Sequence, residues 1–174
     1  MSKPQRTELA VIGAGPGGYK AAFLAADLGI ETVLIDPEEN PGGVCLYRGC
    51  IPTKALLHSV HQYESILRSG EVGVDVEGVR PNPANMRKHK QKVVKKLTGG
   101  LGYLAKKRKL RHLRGRASFT SSESLRVELE KGGSEELQFA HAIIATGAAP
   151  VSLPGIELDG ERIISSKEAL ELPK

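Results

Sequence analysis

Leu9-Ala10-Val11-Ile12-Gly13-Ala14-Gly15-Pro16-Gly17-Gly18 is an apolar run that breaks into a glycine-rich turn, and its reading decides the fold. Glu8 to Ile12 predicts a short buried strand, Pro16 to Leu28 an Ala-rich helix, and Glu31 to Ile35 a second strand. Strand, helix and strand in that order build a parallel sheet, so the fold class is α/β and Rossmann-like. Each glycine has a task. Gly13 permits the tight turn, Gly15 lets a pyrophosphate approach the backbone, and Gly18 lets the helix lie close on the strand. Phosphates at the helix N-terminus would meet unpaired N–H groups and the positive end of the dipole, and Pro16 suits the first helical turn. Asp36 follows Gly18 by eighteen residues, at the end of the second strand, where a carboxylate accepts hydrogen bonds from ribose hydroxyls. The fingerprint by itself fits FAD and NAD equally.

Outward from this turn, Leu56, Val60, Tyr63 and Leu67 recur at helical spacing and predict a helix from about Ile51 to Arg68 with that stripe in the core. Gly70 to Pro83 is a turn-rich break. Met86, Val93, Leu97, Leu101 and Leu104 then mark one long helix, which Gly99-Gly100 is expected to kink or end. Leu110 to Phe119, Ser124 to Leu129 and Leu137 to Phe139 read as strands of a small antiparallel β layer, turning at Lys131-Gly132-Gly133. Ala142 to Ala145 returns as a buried strand of the parallel central sheet. The expected organisation is a dinucleotide-binding domain over residues 1–150 and a connector over 151–174.

Composition narrows the class. The chain has 174 residues, 40% hydrophobic and 26% charged, and no apolar stretch nears the ~20 residues that span a bilayer. Met1 to Arg6 carries no apolar leader, so a cytoplasmic protein is expected. The net charge of +5 conceals an asymmetry: fourteen Lys and Arg residues and no carboxylate lie between Glu77 and Glu123. Such a run is ordinarily a solvated helix face followed by an edge strand. It also suits an acidic partner or the rest of a larger protein. Aromatics are only 4% of the chain, too few for a stacking platform, so no nucleic acid is expected.

The only two cysteines are Cys45 and Cys50, just after Gly42-Gly43. Without a secretory signal, redox or metal chemistry suits them better than a structural staple. Residues five apart in an ideal helix diverge beyond the ~7 Å Cα limit for a disulfide, so a paired reading needs the helix to begin irregularly. Gly49 offers that freedom. Lys54, Leu57 and His61 follow Cys50 on one stripe, about 100° from the Leu56 stripe. A cofactor facing Cys50 would therefore face Lys54, a cation suited to stabilising negative charge on a thiolate or a reduced ring. Zinc is the competing reading, with His58 and His61 as further ligands. Their spacing is too compressed for a zinc finger, so no metal is expected. Two inert buried cysteines are the remaining alternative.

Gly42-Gly43-Val44-Cys45 and Gly49-Cys50-Ile51-Pro52-Thr53-Lys54-Ala55-Leu56-Leu57 resemble the active-site segment of the pyridine nucleotide-disulfide oxidoreductases, most closely the branch that oxidises dihydrolipoamide. Gly13 to Gly18, Asp36, Ala145-Thr146-Gly147-Ala148-Ala149-Pro150 and Pro154 fall in that family's order. The likeness runs along the whole chain but covers only about the first third of a family enzyme. Tyr47-Arg48 departs from the usual Asn-Val, and Asp36 replaces the commoner Glu.

The resemblance implies FAD held by Gly13, Gly15, Pro16, Gly18, Asp36 and Gly43. It places the adenine near the Gly115-Arg116-Ala117 backbone and the flavin near Cys50, Lys54, Thr146 and Gly147. It assigns Cys45 to exchange with a dithiol substrate and Cys50 to electron transfer to the flavin, with NAD as final acceptor at a site absent here. The implied partners are dihydrolipoamide on a lipoyl carrier protein, a 2-oxo acid dehydrogenase complex, and a second subunit in a homodimer. Related mercuric or glutathione reductases, and a non-catalytic basic binding module, are the alternatives. By itself the chain is expected to lack NAD-linked turnover and to retain FAD weakly.

Overall fold

The computed structural model describes residues 5–172; part of the leader expectation, residues 1–4, lies outside them. Two compact units emerge, Met1–Cys45 with Thr98–Ala149, and Leu46–Leu97 with Pro150–Lys174. The first is built on strand β1 (Gln5–Ile12), helix α1 (Pro16–Asp27) and strand β2 (Thr32–Ile35), the expected βαβ opening. Burial follows from the parallel arrangement, in which both sheet faces are covered. Ala10, Ile12, Val33 and Ile35 enter one apolar cluster, while Leu9, Val11 and Leu34 enter another on the α1 side. Gly18, Ala22 and Ala25 form the buried face of α1, and their small size lets the helix lie close on the sheet.

Six strands form one sheet in the order β3-β2-β1-β6-β5-β4, completed by β3 (Arg111–Leu113), β4 (Gly115–Ser121), β5 (Ser124–Leu129) and β6 (Ser134–Ile144). Three expectations are corrected here. Leu110 to Phe119 is not one antiparallel strand: Arg111–Leu113 joins β2 in parallel, and after Arg114 the chain continues as β4, antiparallel to β5. The small antiparallel layer is present as β4, β5 and the start of β6, and it continues the parallel sheet. Leu137 to Phe139 and Ala142 to Ala145 are not separate strands either, because β6 runs through both, pairing with β5 at its start and with β1 along its length. Its far end is exposed, not buried, with Ile144 66% accessible. The reason is that β5 reaches only Gln138, leaving one edge of the later residues without a neighbouring strand.

The second unit holds helix α3 (Cys50–Leu67), a 3-10 turn at Ser69–Val72, the first part of helix α4 (Pro83–Lys107) and helix α5 (Ser166–Ala169). The expected core stripe of α3 is buried only at Leu56; Val60 and Leu67 are exposed. Val60, Tyr63 and Ile66 instead line a groove of about 370 Å³ with Pro81 and Met86. Gly99-Gly100 does not end α4, which continues to Lys107. Both glycines face open space, so helical hydrogen bonding carries the backbone past them.

The buried face of α4 also differs from its apolar stripe. Thr98, Gly102 and Ala105 are buried in the first unit, whereas Leu97 and Leu104 are exposed. In the second unit Lys90 is buried, contrary to a wholly solvated charge run. Its Nζ donates 2.8 Å hydrogen bonds to the Leu170 carbonyl and to Glu171 Oε1, and Arg87 donates to the Leu172 carbonyl. These cations satisfy carbonyls just beyond α5, the helix end that attracts positive charge. Among the described residues no helix is long and apolar enough to cross a membrane.

Candidate dinucleotide and redox-cysteine site

The glycine turn leaves β1 with Gly13 at φ +98°, a conformation that L side chains rarely adopt. A Cβ on Gly13 would stand 2.3 Å from the Ala145 carbonyl oxygen, and one on Gly18 would stand 1.8 Å from the Gly13 oxygen. Gly13, Gly18, Ala145 and Thr146 are thus drawn together by backbone contact. Ala145 N donates to the Ile12 carbonyl at 2.8 Å, which fixes the segment leaving β6, with Thr146 and Gly147, beside the turn. Gly15 is the N-cap of α1, Pro16 stands in the first turn, and no side chain caps this helix end or places a carboxylate there. Its orphan N–H groups give this terminus the chemistry that suits an anion.

Gly43 completes the cradle. At φ +58° it lies so close to the turn that its Cβ would stand 2.5 Å from Gly15 Cα. Gly42 N donates to the Ala14 carbonyl at 2.8 Å and holds this crossing in place. Asp36 lies beneath it: Oδ2 accepts from Ala14 N at 2.7 Å and Oδ1 from Glu38 N at 3.0 Å. The Asp36 carbonyl accepts from Gly115 N at 3.2 Å, which places the start of β4, with Gly115 and Ala117, on the same side. A dinucleotide fits these residues: the cradle is free of side chains where a Cβ would collide, and the helix terminus is uncapped.

The cysteines follow directly. Cys45 lies in helix α2 (Gly43–Arg48), and Cys50 is the first residue of α3. Gly49 separates the helices at φ −143° and ψ −114°, the irregular start that a paired reading requires. Thr53 holds the new first turn by donating from both N and Oγ1 to the Gly49 carbonyl. The two cysteines are not joined to one another in the structure; Cys45 is half-buried and Cys50 exposed. Lys54, Leu57 and His61 are exposed on the stripe that begins at Cys50. Cys50 and Lys54 belong to the second unit, while the glycine cradle and Cys45 belong to the first. Among the described residues no group of three or more His, Cys, Asp or Glu is placed to hold a metal ion.

Two features escaped the sequence reading. Gly102 is the buried face of α4 against the loop after β2, where a Cβ would stand 1.9 Å from Asn40 Oδ1. His112 on β3 is the other. Its Nε2 is buried without a hydrogen-bond partner. Burial pushes its pKa below the ordinary 6.5, against the opposing influence of the nearby Asp36. A lone histidine in a basic strand carries no motif that would have singled it out.

A dinucleotide cradle running into a two-cysteine segment defines a class, and comparison with known proteins agrees. Residues 7–174 match the model of the pyridine nucleotide-disulphide oxidoreductases, and the chain belongs to that family. It is 44% identical over 172 residues to a dihydrolipoyl dehydrogenase from Haemophilus influenzae, covering 99% of this chain and 36% of that protein. A Staphylococcus aureus dihydrolipoyl dehydrogenase is 44% identical over 169 residues, covering 97% of this chain and 36% of that protein. The crystal structure of LpdA from Mycobacterium tuberculosis shares the fold with a TM-score of 0.85 at 22% identity, covering 98% of this chain and 38% of that one. The chain thus spans little more than a third of the length of these relatives.

Proposed function

We propose that this chain is the FAD-binding and redox-disulfide portion of a dihydrolipoyl dehydrogenase. In this reading residues 1–150 form the FAD-binding domain and residues 151–174 connect it to an NAD-binding domain. The observation that carries the reading is Gly43. It must be glycine for Gly15 to approach, and it is also the first residue of the helix that bears Cys45. Cofactor cradle and redox cysteine are therefore parts of one continuous backbone feature.

Gly13, Gly15, Pro16 and Gly18 would hold the pyrophosphate of FAD, Asp36 its ribose, and the Gly115 to Ala117 backbone its adenine. Lys54, Thr146 and Gly147 would stand at the flavin. Bound FAD supplies a two-electron acceptor that returns the dithiol pair to the disulfide. The chain's own chemistry is thiol exchange. With Cys45 and Cys50 joined, a substrate thiolate attacks Cys45 Sγ, the Cys45–Cys50 bond breaks, and Cys50 leaves as thiolate. The second substrate thiolate then attacks the sulfur of its own mixed disulfide and releases Cys45 as thiolate. Substrate leaves as a disulfide, and the pair is left reduced.

The partners in this reading are dihydrolipoamide on a lipoyl carrier protein of a 2-oxo acid dehydrogenase complex, NAD as acceptor, and a second subunit in a cytoplasmic homodimer. Flavin titration of the purified chain tests it, combined with thiol counts before and after dihydrolipoamide treatment. One FAD per chain and a gain of two thiols is expected; the absence of both flavin binding and a dihydrolipoamide-reducible disulfide would overturn the assignment. The chain alone should not reduce NAD, and NADH production by it would contradict the division of labour.

A further inference from the structure

We propose that Thr53 is a positioning residue for the redox pair: its hydroxyl and its amide together pin the Gly49–Cys50 peptide to α3, so that the Cys50 sulfur meets its partner from a set place. The inference rests on reading Cys45 and Cys50 as a disulfide pair. Gly49 is the N-cap of α3 without a side chain to cap it, and its φ of −143° and ψ of −114° lie outside the helix and strand regions. Cys50 follows as the first helical residue, and Pro52, two positions on, has no N–H to give. The first backbone bond of the helix therefore runs from Thr53 N to the Gly49 carbonyl, at 3.1 Å. Thr53 Oγ1 donates to that same oxygen at 2.7 Å. Both donors come from one residue.

A peptide unit is planar, so holding the Gly49 oxygen also fixes the Cys50 nitrogen and the course of the chain into Cys50. The glycine on the other side of that plane supplies no stiffness of its own. Without the hydroxyl, one backbone bond at the end of an uncapped helix keeps Cys50 in helical conformation, and helix ends fray. A disulfide demands a narrow range of Cα and Cβ separations, so a first turn that opens part of the time lowers the effective concentration of Cys50 at its partner. Thr53 is itself exposed, so its bond is not a by-product of packing. Ser59 makes the comparable bond further along α3, from Oγ to the Ala55 carbonyl at 3.3 Å. In mid-helix the turns on either side hold the backbone with or without that hydroxyl.

The test equilibrates the whole chain with mixtures of glutathione and glutathione disulfide, without oxygen, and counts protein thiols by alkylation and mass. Each pair that closes gives two electrons to one glutathione disulfide, which leaves as two glutathione thiols. Thr53→Val removes the hydroxyl at nearly constant volume, and its equilibrium constant for closure should fall about two- to tenfold, the range of one hydrogen bond. Thr53→Ser keeps the hydroxyl and should match wild type, as should Ser59→Ala. Equal constants for wild type and T53V, or a loss in T53S or S59A as large as in T53V, would overturn the inference. A readout independent of the disulfide is the Cys50 Cα resonance in a Cys45→Ser background. It should move from its helical position toward the coil value with T53V and return with T53S; an unmoved resonance would contradict the proposal. Should no Cys45–Cys50 disulfide form at any glutathione ratio, the redox-pair reading fails and that resonance alone decides whether Thr53 holds Cys50. Thr53→Ala serves the same comparisons if the valine variant does not fold.

Discussion

Gly43 and Gly15 cross so closely that neither a side chain nor an ordinary φ is possible at Gly43. The contact joins the glycine turn to the helix of Cys45, so one crossing constrains both parts of the proposed site. Gly43→Ala should abolish flavin binding and cost about 1–3 kcal/mol of stability through backbone strain and steric displacement. Gly17→Ala is the matched control: a Cβ there meets nothing within 4 Å, so stability should hold or rise by about 0.5–1 kcal/mol. Thermal denaturation of the two variants checks the pair; equal changes at the two positions would show that the crossing does not govern the turn.

Lys90 is predicted to anchor the tail of the second unit. Lys90→Met removes the donor to the Leu170 carbonyl and to Glu171 while keeping the aliphatic volume. The local loss should be about 1–2 kcal/mol, because a carbonyl is left without its partner and Glu171 is partly solvated. Limited proteolysis should then cut residues 150–172 at least several-fold faster than in wild type. Unchanged cleavage would mean that Lys90 does not hold the tail.

Stability should also report His112. Burial lowers its folded pKa from 6.5, so on acidification the unfolded chain takes up this proton first. Between pH 6.5 and the lowered folded value the unfolded state binds more protons, and stability falls as pH falls. Urea denaturation at pH 7.5 and at pH 5.5 should show a larger loss for wild type than for H112L. An equal loss would assign the acid sensitivity to other groups.

Acid should open α5 later. Glu168 accepts from the Ser165 hydroxyl and amide, bonds that hold its carboxyl below the usual carboxylate range. A depressed folded pKa gives stability that is present above the unfolded carboxylate value and is lost as pH falls through the folded one. Glu168→Gln should therefore flatten the acid dependence of the Ser165 amide resonance; a wild-type titration in that variant would rule out the capping box as its source.

What the sequence disclosed was set by how local each cause is. The glycine turn was legible from Gly13 to Gly18 because steric limits act within a few residues, and the break at Gly49 followed from the spacing of Cys45 and Cys50. Gly43 against Gly15 and Gly102 against Asn40 depend on distant segments meeting, which no local pattern encodes. The α4 stripe misled because the helix buries small or polar residues, Lys90, Thr98, Gly102 and Ala105, while leucines remain outside. Leu110 to Phe119 misled because β-propensity is continuous there, whereas strand partner changes at Arg114 from β2 to β5.

The central claim is that Cys50 passes electrons to bound FAD after Cys45 has exchanged with substrate. Its most direct measurement is the flavin absorbance of the FAD-loaded chain during anaerobic addition of dihydrolipoamide, compared with Cys50→Ser. Wild type should lose oxidised-flavin absorbance with about one equivalent of dithiol, while C50S keeps its flavin oxidised. Equal bleaching in both proteins would show that the flavin is reduced without the cysteine pair and would contradict the account.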